Sequence, residues 1–312
     1  YRANVEEDYF NILPLEAVPG ETEVESYYPA IDTAISKVKT VITDHSMPGN
    51  DKPSRKNAEH NNYIDENWTT IGKAYYYRRD YETALKSFKF INKYFSNDPS
   101  NYIGELWMAK TNIRMGNYTD AKLSLDKLDQ AMDNQAVSSG SKQSKTKEKK
   151  SKAAKLNERG NSSDKEEQPA KFPKKIKFEV QRTKADLALA HKDYEKTIEF
   201  LEKALEEAKK SEDKGRVNYI LGQLYEHKGN AGMAVEKYRK SRKYKIPYQM
   251  SFSALLKASV LEGGPKIKKE LNKMLRDAKN AEFKDQIYYT LALIELREGN
   301  EENAMGHLTN SA

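Results

Sequence analysis

The chain contains no cysteine among its 312 residues. This excludes disulfide bonds, thiolate zinc sites and catalysis by a cysteine nucleophile. The sequence also lacks a phosphate-binding loop, a dinucleotide-binding glycine motif and any run near the roughly 20 apolar residues of a membrane-spanning helix. Apolar residues make up only 37% of the chain. That is little for a large globular core, but it suffices for stacked helix pairs that each bury one narrow stripe.

Side chains that could perform chemistry are also sparse. No two of the five histidines are spaced as metal ligands, and acidic pairs such as Glu206 and Glu207 fall on predicted solvated helix faces. We therefore expect a non-enzymatic protein with no catalytic, cofactor-binding or metal-binding residue and no small-molecule substrate.

The excess of positive over negative charge lies in one segment of the chain. The formal net charge is +7, yet Ser138–Lys177 alone holds 13 Lys and Arg against 5 Asp and Glu. The rest of the chain has 41 basic and 42 acidic residues and is close to neutral. The basic character therefore belongs to one segment and not to the predicted folded regions.

A helical pattern recurs along the sequence with a period in the thirties. Its clearest copy has Trp68, Ile71, Gly72 and Tyr75 on one helix face, and a matching second face that begins at Tyr81. Small residues at Gly72 and at position 84 would let the two helices approach closely. The position equivalent to Ala84 recurs in steps of 37, 76, 37, 37 and 33 residues, at Ala121, Thr197, Ala234, Leu271 and Ala304.

These residues resemble the tetratricopeptide repeat, which has Trp, Leu, Gly and Tyr on its first helix and Ala, Phe, Ala and Pro around its second. The resemblance implies an all-α tetratricopeptide α-solenoid of about six helical hairpins. The predicted organisation is an N-terminal extension with a capping helix (residues 1–62), repeats one and two (63–132), a disordered Lys/Ser-rich insertion (133–177) and repeats three to six (178–312).

The insertion leaves two interpretations open. Its Ser, Lys and Glu content cannot bury enough apolar surface to offset the entropy of ordering, so it is predicted to be a solvated loop. Alternatively, it could bind a polyanion, an acidic partner or a membrane surface electrostatically. It has one aromatic residue, Phe172, for stacking on bases, and nucleic-acid binding is therefore the weaker hypothesis.

In a tetratricopeptide array the first helices line the concave side, and their faces that do not pack inward form the partner groove. The resemblance therefore implies a protein-binding groove that is rich in tyrosine, lysine and arginine. An alternative is that some of the tyrosines only fill the core between repeats. The predicted groove residues are Lys73, Tyr76, Tyr77, Lys110, Arg114, Tyr219, Gln223, His227, Tyr289 and Arg297.

A peptide-tail receptor of the co-chaperone type is not expected. Such tetratricopeptide domains hold a terminal carboxylate with a clamp of Lys, Asn and Arg side chains at set positions of the first helices. Here Thr69 and Lys73 take the first two positions, and Trp107 takes the next asparagine position.

A closer resemblance comes from three stretches. They are residues 63–81 (YIDENWTTIGKAYYYRRDY), the sequence His45-Ser46-Met47-Pro48 before them, and residues 105–111 (ELWMAKT) after them. Together they resemble the N-terminal tetratricopeptide region of the SprE/PorW lipoproteins of the Bacteroidetes type IX secretion and gliding system. The resemblance implies a periplasmic scaffold, anchored to the outer membrane by an N-terminal lipid outside this stretch, that links translocon and ring or motor proteins.

Two other functions remain open at the level of sequence. The chain could be a cytoplasmic tetratricopeptide adaptor or co-chaperone-like scaffold of another pathway, or an RNA-binding protein that uses the basic insertion. The sequence does not distinguish a peptide partner from a folded surface, nor does it give the oligomeric state.

Overall fold

The computed structural model describes residues 7–9, 11–17, 19–47, 61, 63–140 and 170–311. They divide into two compact units. The first unit contains Pro19–His191, and the second contains Lys192–Ala312 together with the N-terminal segment up to Val18. Within the described residues all regular structure is helical, and fourteen α-helices pack as sequential antiparallel pairs. The predicted all-α class is confirmed.

The described residues of the first unit contain seven α-helices. They are α1 (Glu21–Ser26), α2 (Tyr28–His45), α3 (Ile64–Tyr77), α4 (Tyr81–Tyr94), α5 (Pro99–Met115), α6 (Tyr118–Gly140) and α7 (Lys177–Ala190). The amphipathic helix α2 lies where the capping helix is predicted, and it packs on α3. Pro99 begins α5, where its missing N–H costs no hydrogen bond.

The second unit contains the other seven helices of the described residues. They are α8 (Tyr194–Glu207), α9 (Ser211–His227), α10 (Ala231–Ser241), α11 (Tyr248–Glu262), α12 (Gly264–Leu275), α13 (Lys284–Arg297) and α14 (Glu301–Ser311). A short 3-10 helix, Ala278–Phe283, precedes α13. The sequence grouped α7 with this block, but α7 packs against α5 and α6 in the first unit.

The turns inside the helix pairs share one backbone geometry. Positive φ angles occur at Arg79, Gly116, Lys192, Gly229 and Gly299, each just after a helix. In four of these turns the next N–H donates back to a carbonyl five residues earlier, as Asn230 does to Tyr225 at 2.9 Å. Because the next helix begins within two residues of each positive-φ residue, these turns are tight.

Close contact between paired helices depends on the glycines that the repeat pattern singled out. A Cβ atom added to Gly72 would lie 2.4 Å from Cε1 of Phe88, and one added to Gly222 would lie 2.6 Å from Cδ1 of Tyr238. These distances are far below van der Waals contact, so only glycine allows the aromatic ring of the second helix to approach the first this closely.

The two ends of the predicted disordered insertion, residues 133–177, differ from the prediction. Helix α6 continues through Gly140, and residues 170–177 lead through the 3-10 turn Lys174–Ile176 into α7. Phe172 is 2% exposed among Leu125, Leu128 and Val180, and this apolar burial offsets the entropy of ordering. Residues 141–169, which hold most of the predicted insertion, lie outside the described residues.

Candidate functional site

The predicted groove residues lie on the first helices of the pairs, α3 and α5 in the first unit and α9 and α13 in the second. We call the sides of these first helices that carry the predicted groove residues the A-helix faces. Each unit has its own arrangement of side chains there.

The A-helix face of the first unit is organised around Trp107. The amino groups of Lys73 and Lys110 lie 5.2 and 4.7 Å from the centroid of its indole ring, which is cation–π distance. Burial lowers the pKa of Lys73 below its usual value, and the positive charges of Lys110 and Lys175 lower it further. Lys110 is also ion-paired to Glu179 at 2.8 Å.

An open cleft of about 530 Å³ adjoins Lys73. Polar side chains dominate its wall, among them Glu66, Thr69, Ser100 and Lys175. Among the described residues, the buried hydroxyl of Ser100 finds no hydrogen-bond partner. A bound polar group could satisfy this hydroxyl and face the amino group of Lys73.

Three further predicted residues of this unit form a packed cluster. Tyr76 is 7% exposed, and its ring makes edge contacts with Tyr77 and Trp107. Arg114 donates to the Tyr76 hydroxyl at 3.3 Å and lies 3.9 Å from Asp186. Burial raises the pKa of Tyr76 to about 12. Tyr76 thus packs in the core, which is the alternative that the sequence left open for the tyrosines.

In the second unit, the face of α9 carries a piece of the chain's own N-terminus. We call residues 7–9 and 11–17 the N-terminal strap. The side-chain amide of Gln223 donates to the carbonyl of Asn11 at 2.6 Å, and its oxygen accepts from the backbone N–H of Leu13 at 2.9 Å. Gln223 therefore binds the strap through main-chain groups, which every amino-acid sequence offers.

Arg216 and Tyr219 extend this contact along α9. The guanidinium of Arg216 pairs with both carboxylate oxygens of Glu7 at 2.6 and 3.0 Å, and it donates to the carbonyl of Pro14 at 2.7 Å. The Tyr219 hydroxyl lies 3.3 Å from the carbonyl of Tyr9, and the two rings meet edge to face at 5.8 Å. Burial, and then the charge of Glu7, raise the pKa of Tyr9 to about 12.

The remaining predicted residues of the second unit have different environments. His227 is exposed, with its ring 4.6 Å from that of Tyr194. Arg297 donates to the carbonyls of Val260 and Leu261 at the end of α11, so it caps that helix. Tyr289 is 43% exposed and lies on an open cleft.

That cleft occupies about 790 Å³ between α11 and α13, next to the strap. Its wall is mainly apolar and includes Phe252, Leu256, Val260, Phe283 and Leu293. Glu7, Asp8 and Tyr9 of the strap form one end of it. An apolar cleft with a few polar groups at its rim is typical of a ligand site.

Reasoning from the sequence missed the strap, because Tyr1–Thr22 reads as loosely structured around Pro14, Pro19 and Gly20. The available signal was the pair of apolar residues Leu13 and Leu15 within this stretch. Both are 2% exposed in the structure. It also missed Lys175 and Glu179, which lie at the edge of the predicted insertion.

Among the residues that the structure describes, no cluster of three or more His, Asp or Glu side chains could hold a metal ion. Over the same residues, no helix combines the length and apolar character needed to cross a bilayer. No protein-family model matches the chain, and no curated protein matches it.

Proposed function

We propose that this chain is a non-enzymatic scaffold that binds segments of other proteins on its A-helix faces. The observation that carries the proposal is the strap on α9, where Arg216, Tyr219 and Gln223 hold a non-helical segment through main-chain and side-chain contacts. The same side chains can hold a segment of another protein. The cleft at Tyr289 offers apolar surface beside them.

A tetratricopeptide α-solenoid is the architecture that we propose for the helix pairs. Four packed pairs, α3–α4, α5–α6, α9–α10 and α13–α14, each have a left-handed residue at the same place in the turn. The close Gly72–Phe88 contact of α3–α4 recurs as Gly222–Tyr238 in α9–α10. Repetition of one hairpin geometry is what a solenoid requires.

For the cellular role, we propose a component of the type IX secretion and gliding machinery that links translocon and ring or motor proteins. This rests on the resemblance of residues 45–48, 63–81 and 105–111 to the SprE/PorW lipoproteins. It implies a periplasmic, outer-membrane-anchored protein. The lipid anchor and partner identities are part of the same proposal.

Site-specific photocrosslinking in native cells tests the scaffold. A photocrosslinking amino acid at Tyr289, on the cleft, is expected to yield a discrete set of protein adducts. The matched control is Tyr94, a tyrosine of similar exposure on the second helix α4, at 38% against 43%. Identical products from both positions, or none from Tyr289, would contradict the proposal.

The same adducts test the cellular role. Translocon or ring proteins of the type IX system are expected among the partners captured from position 289. If the adducts contain only proteins of another pathway, the chain is an adaptor of that pathway. A native N-terminus without a lipoprotein signal would remove the periplasmic assignment.

A further inference from the structure

We infer that the face of α9 is a peptide-recognition site that the N-terminal strap occupies in cis, and that a partner segment with the chemistry of the strap displaces it. That chemistry is an acidic residue, a tyrosine two positions later, and a Leu-Pro-Leu sequence four to six positions after the tyrosine. The inference rests on the proposed function, because it names the ligand class of the same surface and the device that controls access to it.

The first step of the argument is that the contacts are those of a ligand. A segment that only filled core space would be held by apolar packing. Here, however, three side chains of one helix approach four strap carbonyls and one strap N–H. Gln223 binds Asn11 and Leu13, Arg216 binds Pro14 and Leu15, and Tyr219 binds Tyr9. Binding of this kind is typical of non-helical peptides on a preformed surface.

The second step is that the site also distinguishes side chains. Glu7 forms a bidentate ion pair with Arg216, and both side chains are largely buried, at 8% and 17% exposure. Desolvated bidentate pairs discriminate strongly, because a neutral or basic residue would leave Arg216 buried without a counter-charge. Leu13 and Leu15 are each 2% exposed, so polar residues are disfavoured there.

The third step is that the site has room for a longer ligand. The apolar cleft between α11 and α13 begins at Glu7 and Tyr9 and is open. A partner segment that presents the same residues on α9 could also continue into this cleft. It would then bury apolar surface on Val260, Leu293 and Tyr289, which remain accessible beside the described part of the strap. A partner could therefore outcompete a segment that is already tethered.

The strap should raise the apparent Kd of a competitor in inverse proportion to the fraction of time that the strap leaves the site free. In the full chain, the double substitution Leu13→Glu and Leu15→Glu buries two charges and should release the strap without altering α9. A fluorescent peptide with the wild-type sequence of residues 7–17 is expected to bind this variant at least about ten-fold more tightly than it binds the wild type. Equal Kd values for the two proteins would overturn the inference, as would no binding to the folded variant.

A charge exchange identifies the site. Adding Arg216→Glu to the released variant is expected to weaken peptide binding at least about ten-fold, and a peptide with Arg at the position of Glu7 should restore it. The matched control, Lys89→Glu on the exposed side of α4, makes the same charge change and should leave Kd unchanged. Failure of the exchanged peptide to bind would overturn the assignment to Arg216.

A measurement on the wild type covers the case in which the released variant does not fold. The amide of Leu13 is hydrogen-bonded to Gln223 and should be protected from hydrogen exchange. Saturating peptide should remove that protection, and unchanged protection would overturn the inference. A stable wild-type dimer that the peptide dissociates would instead assign the site to a second copy and overturn the partner proposal.

The outcomes separate this inference from the proposed function. Suppose that the peptide does not bind but position 289 still crosslinks specific proteins. The scaffold proposal then stands, and the inference that a partner segment displaces the strap fails. If the peptide binds and competes but position 289 captures nothing, the α9 site stands and the scaffold role fails.

Discussion

Two glycines on first helices, Gly72 and Gly222, each lie directly against an aromatic ring of the paired helix. Gly222 lies in α9 against Tyr238, whose side chain is fully buried. Alanine normally stabilises a helix relative to glycine. At this position, however, the added methyl would lie 2.6 Å from the ring, and a buried ring cannot move aside at low cost.

Gly222→Ala is therefore expected to lower the free energy of unfolding by about 1–3 kcal/mol, because overpacking outweighs helix propensity. The matched control is Gly232→Ala in α10, where the nearest atom is 3.9 Å away. That substitution should raise the free energy of unfolding by up to about 1 kcal/mol. Urea denaturation of the two variants measures both, and an increase in both would show that the helices are not in close contact at Gly222.

Lys192 holds the turn before α8 at φ +57, in the left-handed region. Glycine occupies the same place in the turns at positions 116, 229 and 299. Lys192→Gly should raise the free energy of unfolding by about 0.5–1 kcal/mol, since glycine adopts this conformation without a Cβ clash. Lys192→Ala keeps the Cβ and should give no such gain. Equal thermal stability of the two variants would contradict the argument.

At the scale of elements, residues 170–176 pack against α5 and α6. The ring of Phe172 lies 5.1 Å from that of Tyr102, and the Tyr102 hydroxyl donates to the carbonyl of Ala170 at 3.0 Å. The segment looks polar in sequence because three of its seven residues are lysines. Two buried apolar residues, Phe172 and Ile176, anchor it.

Phe172→Ala is expected to destabilise the first unit by about 3–5 kcal/mol, the usual cost of removing a buried phenylalanine. The exposed neighbour Lys171 provides the control, and Lys171→Ala should change stability by less than about 0.5 kcal/mol. Chemical denaturation followed by the fluorescence of Trp68 and Trp107, the two tryptophans of the chain, reports on this unit. Similar midpoints for the two variants would place Phe172 outside the core.

At the scale of the whole molecule, both units contain buried tyrosines whose pKa values are raised by burial, including Tyr76, Tyr219 and Tyr238. A buried phenol stays protonated in the folded state at a pH where it ionises in the unfolded state. The unfolded state then binds fewer protons, so the stability of the fold must fall as the pH rises.

For Tyr76 the window runs from pH 10, its unfolded value, to about 12, its folded value. Its contribution is fully present below pH 10 and should decline by about 2–3 kcal/mol across the window. Tyr76→Phe cannot ionise, so its free energy of unfolding should fall less steeply with pH than that of the wild type. Denaturant titrations at intervals from pH 9 to 12 make the comparison, and parallel curves would contradict a buried Tyr76.

The sequence by itself determined the helix pairs and their turns. The 3.6-residue period of apolar side chains, the Gly-Asn turns and the small residues at positions 72 and 84 act through local sterics and neighbouring hydrogen bonds. For this reason α3, α4, α9 and α10 lie where the pattern predicts them. The faces that carry Lys73, Lys110, Tyr219 and Gln223 follow from the same period.

Only the tertiary structure decided what those faces contact. Tyr76 packs in the core, Arg297 caps α11, and Gln223 holds a segment about 210 residues away in the chain, as the separation of Leu13 and Gln223 shows. No periodicity links residues so far apart, because such contacts depend on which surfaces the packed helices leave open. The burial of Phe172 and of the strap leucines has the same origin: each finds an apolar site that exists only after the helices have assembled.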